Sequence, residues 1–122
     1  MKNIMLLKAD VKYWMLKPKE KKEICNGVGP KGLGWLFPET NWGLSMTPAA
    51  NIHDYDYHVG KTEEDKIEAD NNFLSNMKTL INTKHAESKT KWIWLLKRRL
   101  ARAEIMYKCV DLVGSCAFNK KD

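Results

Sequence analysis

With 122 residues, 43% of them hydrophobic and 30% charged, the chain has the size of one domain around one core, and its balance excludes a disordered polar tract. The formal charge of +6 directs it towards anionic partners, a membrane surface or a nucleic acid, without choosing between them. Its 3 cysteines, Cys25, Cys109 and Cys116, match neither a metal cluster nor a disulfide framework, which is the pattern of a chain that folds reduced.

The N-terminal segment, residues 1–10, holds an apolar run too short for a signal-peptide core and no small-residue cleavage site. No segment reaches the length of a membrane span. Residence in the cytoplasm is the resulting default, and release by lysis or carriage in a viral particle leaves no mark on a sequence. Ile4, Leu7, Val11, Trp14 and Met15 recur at helical spacing, which predicts a helix over residues 3–17, ended by Pro18. Residues 18–24 add a short charged helix. Residues 26–43 follow, with Gly27, Gly29, Gly32, Gly34 and Gly43 among Pro30, Trp35, Phe37, Pro38 and Trp42. That composition reads as a long loop, and loops of this length without secondary structure are often functional. Trp35, Leu36, Phe37 and Trp42 serve either as a membrane anchor or as a cover for the core, and the need to bury something in so long a loop favours the cover.

Thr47 as N-cap, Pro48 at the first helical position and Gly60 as a stop predict a helix over residues 48–59. Thr62, with Asp65 as its capping-box partner, opens the next helix. Its apolar stripe is Ile67, Phe73, Leu74, Met77 and Leu80 or Ile81, and Asp70 falls inside it. After a polar linker over residues 82–90, Ile93, Leu96, Leu100, Ala103, Tyr107, Val110, Gly114 and Ala117 mark a long core helix. Lys97, Arg98, Arg99 and Arg102 lie on its other faces, where a solvated surface is favoured over a binding patch. Helical spacing puts Trp92 and Trp94 on opposite sides of the same helix, so that at least one is expected to be exposed or to meet the N-terminal helix. No alternating strand pattern and no internal repeat is present, so the expectation is one mostly helical domain over residues 1–122.

The chemistry concentrates in the helix over residues 48–59. His53 and Tyr57 share a face with Ala49, while Asp54 is turned about 100° to one side. A tight turn at residues 60–62 sends the following helix back antiparallel, which brings Asp70 opposite His53 and Tyr57. An Asp in an apolar stripe is costly without a partner, and an imidazole N–H and a phenol hydroxyl are the obvious ones. A carboxylate on one imidazole nitrogen fixes the tautomer, so that the other nitrogen can accept a proton. Asp54 is left over from this pairing, next to a glycine-rich loop with exposed carbonyls. Oxygen ligands of that kind suit calcium better than zinc. Calcium there can polarise an ester carbonyl and stabilise the oxyanion while His53 deprotonates a water.

The run Thr47-Pro48-Ala49-Ala50-Asn51-Ile52-His53-Asp54-Tyr55-Asp56-Tyr57 resembles the active-site helix of phospholipases A2, whose core is His-Asp-x-x-Tyr. Glu68-Ala69-Asp70-Asn71-Asn72-Phe73-Leu74 resembles the second helix, which carries the Asp partner. Gly27-Val28-Gly29-Pro30-Lys31-Gly32 is similar to the calcium loop in its viral and prokaryotic Gly-Pro version. The likeness covers residues 25–81. It implies an all-α, phospholipase A2-like fold, in which two antiparallel catalytic helices and a calcium loop are packed by N-terminal and long C-terminal helices. It also implies calcium-dependent hydrolysis of the sn-2 ester of glycerophospholipids, with a phospholipid at a membrane surface as substrate and Ca2+ as cofactor. In that scheme His53 activates water, Asp70 orients His53, Tyr57 hydrogen-bonds Asp70, and Asp54 binds calcium with the carbonyls of Gly27, Gly29 and Lys31. The chain departs from the secreted members in having Ala49, Ala50 and Asp56 around the positions of their cysteines. The long C-terminal helix must then hold the catalytic helices that disulfides hold in those members.

Two other readings remain. A catalytically silent module of the same fold would bind an anionic membrane, a protein or a nucleic acid; the last is the lesser choice, because the chain has no recognition-helix or aromatic RNA-binding signature. A metal phosphohydrolase of the His-Asp class would need further metal-binding histidines, and His58 and His85 both read as surface residues.

Overall fold

The computed structural model describes residues 7–25 and 40–119, except the side chains of residues 113–119. The proposed loop ligands Gly27, Gly29 and Lys31, and the aromatics Trp35 and Phe37, lie outside the described residues, as does Ile4.

The N-terminal segment departs from the expected helix over residues 3–17. Asp10 is extended (φ −61°, ψ 143°) and its side chain accepts from the Lys12 N–H at 2.8 Å, so helix α1 starts beyond it and spans only Val11–Trp14. An aspartate that bonds its own downstream backbone competes with a continuing helix. The apolar face changes accordingly: Leu7 and Tyr13 are buried, whereas Val11 and Met15 point to solvent. Asn76 fastens this segment, its side chain accepting from the Lys8 N–H at 2.6 Å and donating to the Lys8 carbonyl at 3.0 Å. Helix α2 spans Pro18–Ile24, with proline in its first turn as its missing N–H allows.

Three longer helices make the body: α3 (Thr47–Val59), α4 (Glu63–Glu87) and α5 (Ile93–Asn119). The start of α3 differs in detail from expectation. Met46 occupies the cap position without a side-chain bond, and Thr47 is already helical, its N–H donating to Ser45 Oγ at 3.2 Å. The cap of α4 follows the capping-box logic: Thr62 Oγ1 accepts from the Asp65 N–H, and Asp65 Oδ2 accepts from the Thr62 N–H, both at 3.1 Å. The helix runs on through residues 82–87, where a polar linker is expected. Lys91 follows its end, in a left-handed conformation (φ 48°), with Nζ 2.6 Å from the Ala86 carbonyl. A lysine there satisfies carbonyls that the last turn leaves without partners.

A two-stranded antiparallel hairpin, β1 (Thr40–Asn41) and β2 (Leu44–Ser45), stands where the sequence showed no strand. Its turn residues, Trp42 (φ 52°) and Gly43 (φ 81°), are both left-handed, as a two-residue hairpin loop of the I′ type requires. Tryptophan adopts that conformation at a cost, and α5 compensates. Arg99 donates to the Trp42 carbonyl at 2.9 Å, and Asn41 Nδ2 donates to the Arg99 carbonyl at 2.8 Å.

The main core joins Met46, Ala49 and Ala50 of the α3 end, Phe73, Met77 and Ile81 of α4, and Ala103, Met106 and Val110 of α5. The alanines let the neighbouring helices approach α3 closely. Leu7, Tyr13, Ile52 and Tyr55 form a second cluster that seats α1 against the other side of α3. Ile67 and Ile93, each counted in an apolar stripe, are half exposed instead. Ile93 opens α5, and Ile67 is turned away from the face on which Lys66 and Asp70 are buried. Among the described residues no helix is long and apolar enough to cross a membrane.

Candidate functional site

Four residues of α3 supply the expected chemistry or its frame, and helical geometry sorts them. Ala49, His53 and Tyr57 rise along one face towards α4, and the His53 ring lies 4.2 Å from Tyr57 and 4.8 Å from Phe73, centroid to centroid. His53 is 3% exposed and Asp70, opposite it on α4, 1%. Asp70 Oδ1 is 2.8 Å from His53 Nε2 and accepts from the Tyr57 hydroxyl at 2.7 Å. The structure therefore brings together all three residues assigned to the proton-handling part of the site.

A fourth member was not foreseen. Lys66, one turn before Asp70 on α4, is 1% exposed, and its ammonium donates to Asp70 Oδ2 at 2.7 Å. It also reaches the main-chain carbonyl of Asp111 on α5 at 3.2 Å and Asp111 Oδ1 at 3.3 Å. Spacing four apart with Asp70 is a signal present in the sequence, since such pairs face each other on a helix. Nothing in the sequence announces that this lysine is buried, because lysine is almost never fully buried unless paired.

The network sets the ionisation of its members. Burial opposes the charge on Asp70, but hydrogen bonds from His53, Lys66 and Tyr57 outweigh it and hold the carboxyl below its usual range. An ionised carboxylate only accepts hydrogen bonds, so the proton between the two groups resides on His53 Nε2 and leaves Nδ1 as the basic nitrogen. Burial pushes the His53 imidazole below its ordinary value, against the opposing pull of Asp70, and the nearby Lys66 charge lowers it further. His53 is thus neutral at neutral pH. Burial and the bond to Asp70 push the Tyr57 phenol up, so it stays a donor. The Lys66 ammonium is penalised by burial, yet Asp70 and Asp111 raise it above the usual lysine value.

Asp54 is turned away from this network, as the helix geometry requires. Its charge acts on Tyr13 and Cys25, raising both, in each case after burial as the larger cause; the Cys25 thiol reaches about 11. Cys25 Sγ lies 3.3 Å from the Asn51 carbonyl on α3. Cys25 therefore lies alongside the turn that bears Asp54. Among the described residues, no group of three or more His, Cys, Asp and Glu side chains gathers to hold a metal ion. Of the proposed metal ligands, Asp54 is the one within the described residues. His58 is exposed and His85 half-buried at the last turn of α4.

Among the described residues, two of the clefts that border these helices are lined by neither His53 nor Asp70. One of about 580 Å³ carries Asp10, Asp56, Asp65 and Glu68 on its walls. The other, about 300 Å³, lies beside the first turns of α3, between Tyr13, Trp14, Pro48 and Ile52. No family model, curated protein or solved structure matches the chain.

Proposed function

We propose that the chain hydrolyses the sn-2 ester of glycerophospholipids in a calcium-dependent reaction, with His53 as the base that activates water. The observation that carries this reading is the shared oxygen of Asp70, which holds His53 Nε2 at 2.8 Å and the Tyr57 hydroxyl at 2.7 Å. Asp70 fixes the imidazole in the tautomer whose Nδ1 is free to take a proton. Water attacking the ester carbonyl gives its proton to Nδ1, the Asp70 carboxylate stabilises the imidazolium, and the same proton then passes to the departing alkoxide. Bound calcium would supply positive charge for the developing oxyanion. Asp54 would hold it, with the carbonyls of Gly27, Gly29 and Lys31 completing the proposed ligand set. The charge of +6 supports an anionic bilayer as the surface on which substrate is met.

The test is fatty-acid release from phosphatidylglycerol vesicles, with and without a calcium chelator. Release should require calcium and fall at least about a hundredfold in His53→Gln, the scale of losing a general base. Absence of release, or release indifferent to both the chelator and the substitution, overturns the reading.

One surface favours a second reading, a binding module without turnover. Trp42, Trp92 and Trp94 are each about half exposed, with Trp94 centred 6.3 Å from Trp42 and 5.8 Å from Trp92. The Arg98 guanidinium lies 5.5 Å over the Trp42 ring. Indoles favour the headgroup layer and basic side chains favour anionic lipid. Vesicle binding that depends on these tryptophans in a chain that releases no fatty acid would select this reading over the hydrolase.

A further inference from the structure

Asp70 is a divided carboxylate. Oδ1 serves His53 and Tyr57, and Oδ2 serves Lys66. An ammonium as deeply buried as that of Lys66 is strongly unfavourable unless every proton finds an acceptor. Its donors meet Asp70 Oδ2, the Asp111 carbonyl and Asp111 Oδ1. The last two acceptors belong to α5, so this one side chain ties the carboxylate that faces His53 to that helix. Among the described residues, the charged and titratable groups around the pair include Lys66, Asp70 and Glu63 of α4, His53 and Tyr57 of α3, and Asp111 of α5 behind Lys66.

We infer that Lys66 is a positioning residue of the site: held by Asp111, it pins Asp70 in its ionised form and in the orientation that presents Oδ1 to His53 Nε2. Without it, Oδ2 would be a buried anionic oxygen with no partner, and the carboxyl would relieve that state by turning or by taking up a proton. Either change loosens the bond that fixes the His53 tautomer. The significance for catalysis rests on the hydrolase reading above; the positioning itself does not.

The experiment compares the full-length parent with Lys66→Gln, Lys66→Met and Lys66→Arg by nuclear magnetic resonance. It follows the 15N signals of the His53 ring, assigned with His53→Gln, and the 13C signal of the Asp70 carboxyl. The parent should show a single Nε2–H tautomer and an Asp70 carboxyl that stays ionised well below the usual aspartate range. In the two neutral variants the Asp70 carboxyl should take up its proton about one pH unit or more higher, and the Nε2–H signal should weaken, while Lys66→Arg keeps both features of the parent. If the methionine variant does not fold, the glutamine variant carries the comparison, since it removes the ammonium charge and leaves a polar side chain in its place. Folded neutral variants with parental Asp70 and His53 signals overturn the inference. On vesicles, kcat should fall about tenfold with KM little changed, as for a group acting through the base. Because the resonance measurements need no turnover, altered signals in a parent that releases no fatty acid would overturn the hydrolase reading and leave the role of Lys66 standing. An active parent with unchanged signals in its variants would do the reverse.

Discussion

Asp70 and Asp56 sit on adjacent helices, both withdrawn from water, and their carboxyls move in opposite directions. Asp70 is the more buried, yet it is held below the ordinary range because three donors outweigh its desolvation. Asp56 borders the acidic cleft, and burial followed by the charges of Glu68 and Asp10 pushes it up to about 7. Its Oδ2 is buried without a hydrogen-bond partner among the described residues. Partners, not depth, decide whether a carboxylate inside this fold is an anion. The difference also separates the two sites chemically, because the first stabilises a cation beside it and the second takes up a proton near neutral pH.

The strongest way to break the comparison is to remove the charge that the donors converge on. Asp70→Asn leaves the buried Lys66 ammonium beside a neutral amide with Asp111, 3.3 Å away, as its remaining anionic partner, and breaking a buried pair from one side in this way costs up to about 3 to 5 kcal/mol. Urea unfolding at pH 7 should show that loss, and a loss below about 1 kcal/mol would mean that the network is slack. The stability from Asp70 is present above its unfolded pKa and is lost as pH falls through its lower folded value.

Asp56 has the opposite sign. Its folded value of about 7 lies above the ordinary 3.8, so between these limits the folded chain binds more protons and its stability declines as pH rises. Asp56→Asn removes that decline. The variant should match the parent near pH 4 and exceed it at pH 8, by less than Asp70→Asn loses. Thermal unfolding at the two pH values reads the crossover, and a variant equally offset at both would show that Asp56 ionises normally.

The contrast between these carboxylates was only half legible in the sequence. Asp70 stood out because it interrupts an apolar stripe, and helical spacing alone placed it across from His53 and Tyr57. The capping box at Thr62 and the short helix from Pro18 were legible for the same reason, since local chemistry sets them. Asp56 gave no such signal, because its environment is built by Asp10 and Glu68 from other elements. Lys66 was hidden differently: its acceptors on α5 are far along the chain, and only the packed structure shows that it is enclosed. The hairpin escaped because strands of two residues leave no alternation to detect, and tryptophan replaces the usual Asn or Gly in its turn. The helix expected over residues 3–17 is broken because Asp10, which lies outside the apolar spacing, bonds its own downstream backbone.

The smallest effect sharpens the comparison from the cation side. Lys78 and Glu104 join α4 to α5 at 2.9 Å, much as Lys66 and Asp111 do, but their side chains are 42% and 44% exposed. Water solvates both groups before and after the contact forms, and salt screens what remains. A double-mutant cycle with Lys78→Ala and Glu104→Ala should give a coupling of about 0.2 to 1 kcal/mol, vanishing at high salt. The same cycle at Lys66 and Asp70 should give a larger coupling that salt hardly changes, because neither charge can reach the screening ions. Equal couplings at the two pairs would show that enclosure adds nothing, and that the order of the buried network comes from helix packing alone.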